Sequence, residues 1–352
     1  MIITKTPYRI SFFGGGTDYP NWYLKNGGEV ISTTINKYIY ISCRHLPPFF
    51  EHKHRISYTK IELVKDIKKI QHQAVKGVFK YYNIQNGLEI HYDGDLPARS
   101  GMGSSSSFMV GLVNGINCLY GRRLNKDTLS KKSLFIEQKI LEEIVGSQDQ
   151  IAAAYGGFNS IKFFPGGKYK VSSLCKDKNY LGKLNDNLIL LYTGVKRTAN
   201  DIAISYVGKL LREKKQQMKD ILDNVKEAKK IIKNKSSIDN FGKLLHNTWL
   251  TKRTLSKSVS NNTINDLYKL AIKKGALGGK LLGAGGGGFF LFYVPKHRHR
   301  FFLKSFSKFV NIPFRFSFKG SEIIFSPKLN KQYKRDLLKN KFKIKKFNEL
   351  KI

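Results

Sequence analysis

The chain has 352 residues, comfortable for two domains, and its 41% hydrophobic and 25% charged residues are ordinary for a globular protein, which excludes wholesale disorder. Lys and Arg together number 63 against 25 Asp and Glu, a formal net charge of +38, which suits polyanions and phosphorylated metabolites. Three cysteines without metal-ligand spacing exclude a disulfide framework, and no apolar run is long enough for a membrane span or a secretory signal, so the cytoplasm is the expected compartment.

In chain order, Ile2-Ile3 and Tyr8 to Phe13 alternate as a strand that ends at the glycines Gly14 to Gly16. Val30 to Thr34, Tyr38 to Cys43 and Ile56 to Tyr58 are β-rich, residues 71–82 predict a helix, and Leu88 to Tyr92 predicts a strand. A Gly- and Ser-rich turn then opens an apolar helix that runs to about Tyr120. Asp127 to Val145 predicts a second helix with Leu129, Leu134, Ile136, Ile140 and Ile144 on its apolar side, and Gln148 to Tyr155 a third. Phe158 to Phe163 and Tyr169 to Ser173 predict a hairpin, and Leu188 to Tyr192 a strand. Residues 199–275 read as Lys-rich helices; strands return at Gly279 to Leu282, Phe289 to Val294, Phe314 to Phe318 and Ile323 to Phe325, a group expected to form a sheet of its own. The expected division is 1–185, 186–327 and a basic tail at 328–352.

The strongest local signal is Pro97-Ala98-Arg99-Ser100-Gly101-Met102-Gly103-Ser104-Ser105-Ser106-Ser107. Glycines let a backbone approach phosphate, and a helix N-terminus offers free N–H groups and the positive end of the dipole. Serine hydroxyls can bind phosphate oxygens or a hard cation. An ordinary Ser-capped turn is the plainer alternative, but four serines beside two glycines exceed what a cap needs. No lysine lies within the turn, so it is not a Walker A loop, and its spacing does not fit a dinucleotide fingerprint.

Pro-x-x-x-Gly-x-Gly-Ser-Ser resembles the second motif of the GHMP kinases (galactokinase, homoserine kinase, mevalonate kinase, phosphomevalonate kinase). The first motif resembles Thr6-Pro7-Tyr8-Arg9-Ile10-Ser11-Phe12-Phe13-Gly14-Gly15-Gly16-Thr17-Asp18-Tyr19, and the third Lys280-Leu281-Leu282-Gly283-Ala284-Gly285-Gly286-Gly287-Gly288-Phe289. Three different motifs in the family's order span residues 6–289. The resemblance implies an α+β fold of two lobes with the active site between them: an N-terminal lobe like ribosomal protein S5 domain 2 and a ferredoxin-like C-terminal lobe. It implies ATP as phosphoryl donor, Mg²⁺ as cofactor and a small-molecule sugar or sugar phosphate as acceptor. A homodimer is left open.

The Gly-Gly-Gly-Thr-Asp version of the first motif resembles bacterial heptose 7-phosphate kinases and also fucose-kinase-type enzymes; galactokinases carry Glu and His where Gly15 and Gly16 stand here. By resemblance, Pro97, Gly101, Met102, Gly103 and Ser104 to Ser107 would hold the nucleotide. Asp149 would meet the acceptor hydroxyl, and Arg9 would stabilise charge on the moving phosphoryl group. Glu137 and Ser105 would bind Mg²⁺, with Ser104 the alternative hydroxyl. Gly15, Gly16, Thr17 and Asp18 would contact the sugar, and Arg197 and Thr198 a substrate phosphate. Gly283, Gly285, Gly286 and Gly287 would brace the phosphate loop. Arg99, Lys196 and Arg197 would suit an acceptor that already carries phosphate.

From the residues alone, Glu137 also reads as a solvated helix residue, Asp149 as an N-terminal helix acid and Arg9 as a surface side chain on a strand. The rival of another class is a basic RNA-binding protein, compatible with +38 but leaving the three glycine motifs and Asp149 without a role. Nucleic acid is therefore not expected as a partner.

Overall fold

In this computed structural model, residues 1–47, 49–195 and 199–327 are described. The expected basic tail at 328–352 lies outside them, as do Lys196, Arg197 and Thr198. The first lobe is laid down by β1 (Ile2–Phe13), α1 (Pro20–Asn26), β2 (Gly28–His45), β3 (His54–Ser57), β4 (Ile61–Val64), α2 (Gln73–Tyr81), β5 (Leu88–Gly94) and α3 (Ser104–Leu119). Next come α4 (Lys126–Phe135), α5 (Gln148–Tyr155), β6 (Phe158–Phe163), β7 (Tyr169–Ser173) and α6 (Lys178–Asp186). The second lobe has β8 (Leu188–Tyr192), α7 (Ala199–Val207), α8 (Lys215–Lys233), α9 (Ile238–Arg253), α10 (Asn262–Lys273), β9 (Gly278–Leu281), β10 (Phe289–Tyr293), α11 (His299–Ser305) and β11 (Val310–Asn311). The chain then returns through β12 (Phe316–Ser317) and β13 (Glu322–Phe325).

The large sheet runs β13-β1-β2-β5-β3-β4, with β6 and β12 also pairing β2 and β7 pairing β6. The small sheet is antiparallel, in the order β11-β8-β10-β9. Two of the four C-terminal strands therefore do not join a sheet of their own, as the sequence suggested. Glu322–Phe325 pairs with β1 and Phe316–Ser317 with β2, because the chain crosses back to cover open edges of the first sheet. The second predicted helix is also corrected. It is α-helical only to Phe135, widens into a π turn over Ile136–Ile140, and continues as an irregular segment to Ser147. Ile140 and Ile144 are consequently exposed rather than on a core stripe.

All five residues of β10 are buried, as a strand covered on both faces requires. Phe290 and Phe292 pack with Trp249 of α9, Tyr268 of α10 and Phe302 of α11. The lobes share a core, since Phe241 of α9 meets Phe12 and Phe13 of β1 edge-on at 5.2 and 5.0 Å between ring centres. That contact fixes the end of β1, and hence the first glycine motif, against the second lobe.

Candidate active site

Arg9 is aimed by a fault in the β1–β2 ladder. Pro7 has no N–H to give, and the pairing slips between Pro7 and Arg9. The Arg9 amide leaves the ladder and donates to the Met102 carbonyl at 3.2 Å, which docks β1 onto the Gly-Ser loop. Its guanidinium, almost wholly buried, donates from Nε and Nη2 to the two carboxylate oxygens of Asp149 at 2.7 and 2.6 Å, and from Nη1 to the Gly101 carbonyl at 2.7 Å. This fork geometry is the strong form of a charge-assisted pair. Asp149, in the first turn of α5, keeps 22% of its side chain exposed, towards a cleft of about 380 Å³.

The other wall of the cleft is the start of α3. Gly103 precedes the helix at φ +74°, no side chain caps the first turn, and Ser104, Ser105 and Ser106 line the cleft. Their free N–H groups and the helix dipole make an anion site there. Gly101, at φ +81°, lies backbone to backbone against the third glycine motif: a Cβ on it would stand 2.6 Å from the Leu282 carbonyl oxygen, and one on Gly283 would stand 2.6 Å from the Gly101 Cα. Gly283, Gly285 and Gly287 also line the cleft; Gly286 packs on Ile202.

Glu137 sits in the π turn behind these serines, fully buried. Its Oε2 accepts from Ser106 Oγ at 3.4 Å and from Gln150 Nε2, and its Oε1 has no partner among the described residues. Burial pushes its carboxyl up to about 8, reinforced by the charges of Glu143 and Asp149. A buried, unpartnered carboxylate oxygen beside serine hydroxyls fits a hard cation such as Mg²⁺, which takes oxygen ligands and shares its shell with phosphate. The serine that touches Glu137 is Ser106; Ser105 and Ser104 face the cleft.

Asp18 is buried at the opposite end, accepting from the Gly16 amide at 2.9 Å and from Gln148 Nε2 at 2.9 Å. Burial, then the charge of Asp149, raises its pKa above the usual carboxylate range. Gly15, Gly16 and Asp18 line the cleft. Thr17 does not: it is fully buried, and its hydroxyl donates to the Gly14 and Glu29 carbonyls at 2.8 and 3.1 Å, which holds the turn. Met102 is buried in the core, Ser107 donates to the Pro7 carbonyl at 2.9 Å, and Pro97 stands exposed outside the cleft lining.

Sequence reasoning missed two cations on the cleft floor. Lys252 of α9 donates to the Leu281 and Gly283 carbonyls at 3.0 and 2.5 Å, and Lys280 of β9 to the Phe12 carbonyl at 2.8 Å. Burial, then the charge of Arg9, lowers Lys252 to about 7; burial, then Lys252, holds Lys280 well below the ordinary lysine range. Lys252 carried no signal in so Lys-rich a chain. Lys280 did, as a charge set in the apolar run Gly278–Leu281 just before the third glycine motif.

A cleft lined by an uncapped helix start, a carboxylate held by an arginine and the residues Gly15, Gly16, Asp18 and Gln148 suits phosphoryl transfer to an alcohol. Matches to known proteins give the same class: GHMP kinases N terminal domain over residues 66–157 and GHMP kinases C terminal over 208–307. The chain belongs to the GHMP kinase family, whose two-lobed α+β fold it has, and is a phosphotransferase acting on an alcohol group. It is 31% identical over 322 residues to the D-glycero-alpha-D-manno-heptose 7-phosphate kinase of Campylobacter jejuni, covering 87% of this chain and 93% of that one. It is 25% identical over 310 residues to the bifunctional fucokinase/GDP-fucose pyrophosphorylase of Arabidopsis thaliana, covering 82% of this chain and 29% of that one. Among solved structures, a D-glycero-D-manno-heptose 1-phosphate kinase from Bacteroides thetaiotaomicron superposes with a TM-score of 0.75 at 23% identity, over 93% of this chain and all of that one. No helix among the described residues is long and apolar enough to cross a membrane.

Proposed function

We propose that this chain is a cytoplasmic sugar kinase that transfers the γ-phosphoryl group of ATP to the anomeric hydroxyl of D-glycero-D-manno-heptose 7-phosphate. The product would be the 1,7-bisphosphate, an intermediate for nucleotide-heptose and surface-polysaccharide synthesis. The observation that carries the reading is the Arg9–Asp149 fork, which holds a carboxylate on the same cleft that the serine-rich helix start lines. The identity to the Campylobacter kinase supports the choice of acceptor.

In this reading the first amides of α3 and the hydroxyls of Ser104 and Ser105 hold the triphosphate. Glu137, with Ser105 or Ser106, would hold Mg²⁺, which supplies charge neutralisation on the phosphate oxygens. Asp18 accepts hydrogen bonds from sugar hydroxyls. The acceptor oxygen bonds to the γ-phosphorus as the bond to the bridging oxygen of ADP breaks, and the hydroxyl proton passes to Asp149. Arg9 keeps Asp149 aligned and faces the developing charge. Most of the rate would come from positioning and fixed charge.

An ADP-release assay with ATP and Mg²⁺ against heptose 7-phosphate, unphosphorylated heptose, fucose and galactose tests the acceptor. The highest kcat/KM is expected for heptose 7-phosphate. Preference for the unphosphorylated heptose or for fucose would overturn the assignment and favour the fucokinase-like alternative, which the first motif also resembles. RNA binding without nucleotide turnover would favour the rival class.

A further inference from the structure

Two lysines that line the cleft have no carboxylate partner among the described residues. Arg9 is matched by Asp149, and Asp18 is held by an amide and a glutamine. Among the described residues, Lys252 and Lys280 have only main-chain carbonyls as hydrogen-bond partners: two for Lys252 and one for Lys280. Protonated, each carries three donors, which would leave Lys280 with two uncommitted N–H groups and Lys252 with one. Both line the cleft, and they are 3% and 7% exposed, so water satisfies little of the remainder. Ser11 Oγ and Gln148 Oε1, on the same lining, also lack partners among the described residues.

Burial and neighbouring positive charge push both lysines towards their neutral amines, so holding the pair protonated in the empty cleft carries an electrostatic cost. An anion entering the cleft would remove that cost and take up the spare donors. Asp18, the acid felt by both, is itself pushed towards its neutral form by burial. Lys280 also ties the lobes at this point, since it reaches from β9 to the carbonyl of Phe12 at the end of β1. An anion here would therefore sit where the two lobes meet.

We propose that Lys252 and Lys280 form an anion seat on the cleft floor that receives the non-bridging oxygens of a phosphate group. The group is either the phosphoryl in transfer or a phosphate already carried by the acceptor. The naming of these two sources rests on the kinase reading above; the seat itself does not.

The test uses the full chain and the variants Lys280→Met and Lys252→Met, with Lys280→Gln, which keeps a donor for the Phe12 carbonyl, if a Met variant does not fold. Binding of inorganic phosphate is measured by calorimetry with Mg²⁺ and ADP present, so that the helix start is already occupied. Wild type should bind phosphate, and each variant should bind it weaker by about tenfold or more. No binding by wild type, or equal binding by all, would overturn the seat whatever the sugar proves to be. Kinetics then separate the sources. A KM increase confined to phosphorylated acceptors, with kcat kept, assigns the seat to the acceptor's phosphate. A kcat loss with phosphorylated and unphosphorylated acceptors alike assigns it to the phosphoryl in transfer. Unchanged kcat and KM in both variants would refute the proposal.

Discussion

Asp149→Asn separates chemistry from architecture. Asn keeps the shape of Asp but sets an amide N–H against one of the two Arg9 donors, so at best one of the 2.7 and 2.6 Å bonds survives and the charge is lost. Exposed ion pairs contribute up to about 1 kcal/mol, whereas breaking a buried one costs about 3–5 kcal/mol. Asp149 is 22% exposed and Arg9 keeps its 2.7 Å bond to the Gly101 carbonyl, so a stability loss of about 1–3 kcal/mol is expected. Loss of a positioned proton acceptor should lower kcat by about 10²–10⁴, equivalent to ~3–5.5 kcal/mol of barrier. Urea unfolding, nucleotide binding by calorimetry and steady-state ADP release measure the three quantities on one protein. The expected pattern is a modest stability loss, preserved nucleotide affinity and a large fall in kcat. A fall smaller than about tenfold would refute Asp149 as the group that takes the proton.

Glu137→Gln should raise the Mg²⁺ concentration needed for half-maximal rate by about tenfold or more, read from Mg²⁺ titrations at saturating ATP; an unchanged titration would remove Glu137 from the metal site. Gly101→Ala places a Cβ 2.6 Å from the Leu282 carbonyl at φ +81°, a conformation that alone costs about 1–2 kcal/mol in an L-residue. It should lower stability and raise KM for ATP more than KM for the acceptor, and unchanged values would mean the two glycine loops do not brace each other. Lys252 has a folded pKa of about 7 against 10.5 for the free side chain, so the unfolded chain binds the extra proton between those values. Stability from this group is complete at high pH and is lost as pH falls towards 7, by up to ~1.4 kcal/mol per pH unit. Urea melts of ligand-free protein at pH 8, 9 and 10 should rise less steeply for Lys252→Met than for wild type, Lys280 retaining its own slope of the same sign. Parallel curves would contradict the burial of a neutral-leaning lysine.

The serine-rich loop was legible because its demands are local. Glycines at positive φ and small polar residues at a helix start are written in consecutive residues, and they can be read without knowing what packs above them. The same holds for the hairpin of β6 and β7, which its Pro-Gly-Gly turn announces, and for Asp149 at the start of α5. The widening of α4 into a π turn was not legible, since Ile136 to Ile140 would continue an α-helix on propensity alone. The turn puts Glu137 among Ser106, Gln150 and Glu143, and the segment after it lines the cleft with Glu143 to Gly146.

The sequence by itself determined the family and the strands and helices that flank its glycine motifs, and it named the Gly-Ser loop and the acid and base candidates, because each is written in residues close together in the chain. Only the tertiary structure decided that Glu322–Phe325 closes the edge of the first sheet, that the Thr17 and Ser107 hydroxyls bond to backbone carbonyls, and that Lys252 and Lys280 are buried in the cleft floor. Edge pairing, burial and loss of solvent arise from contacts between residues as far apart as Phe12 and Lys280, and the charge state of a lysine follows from that surrounding and not from its neighbours in sequence.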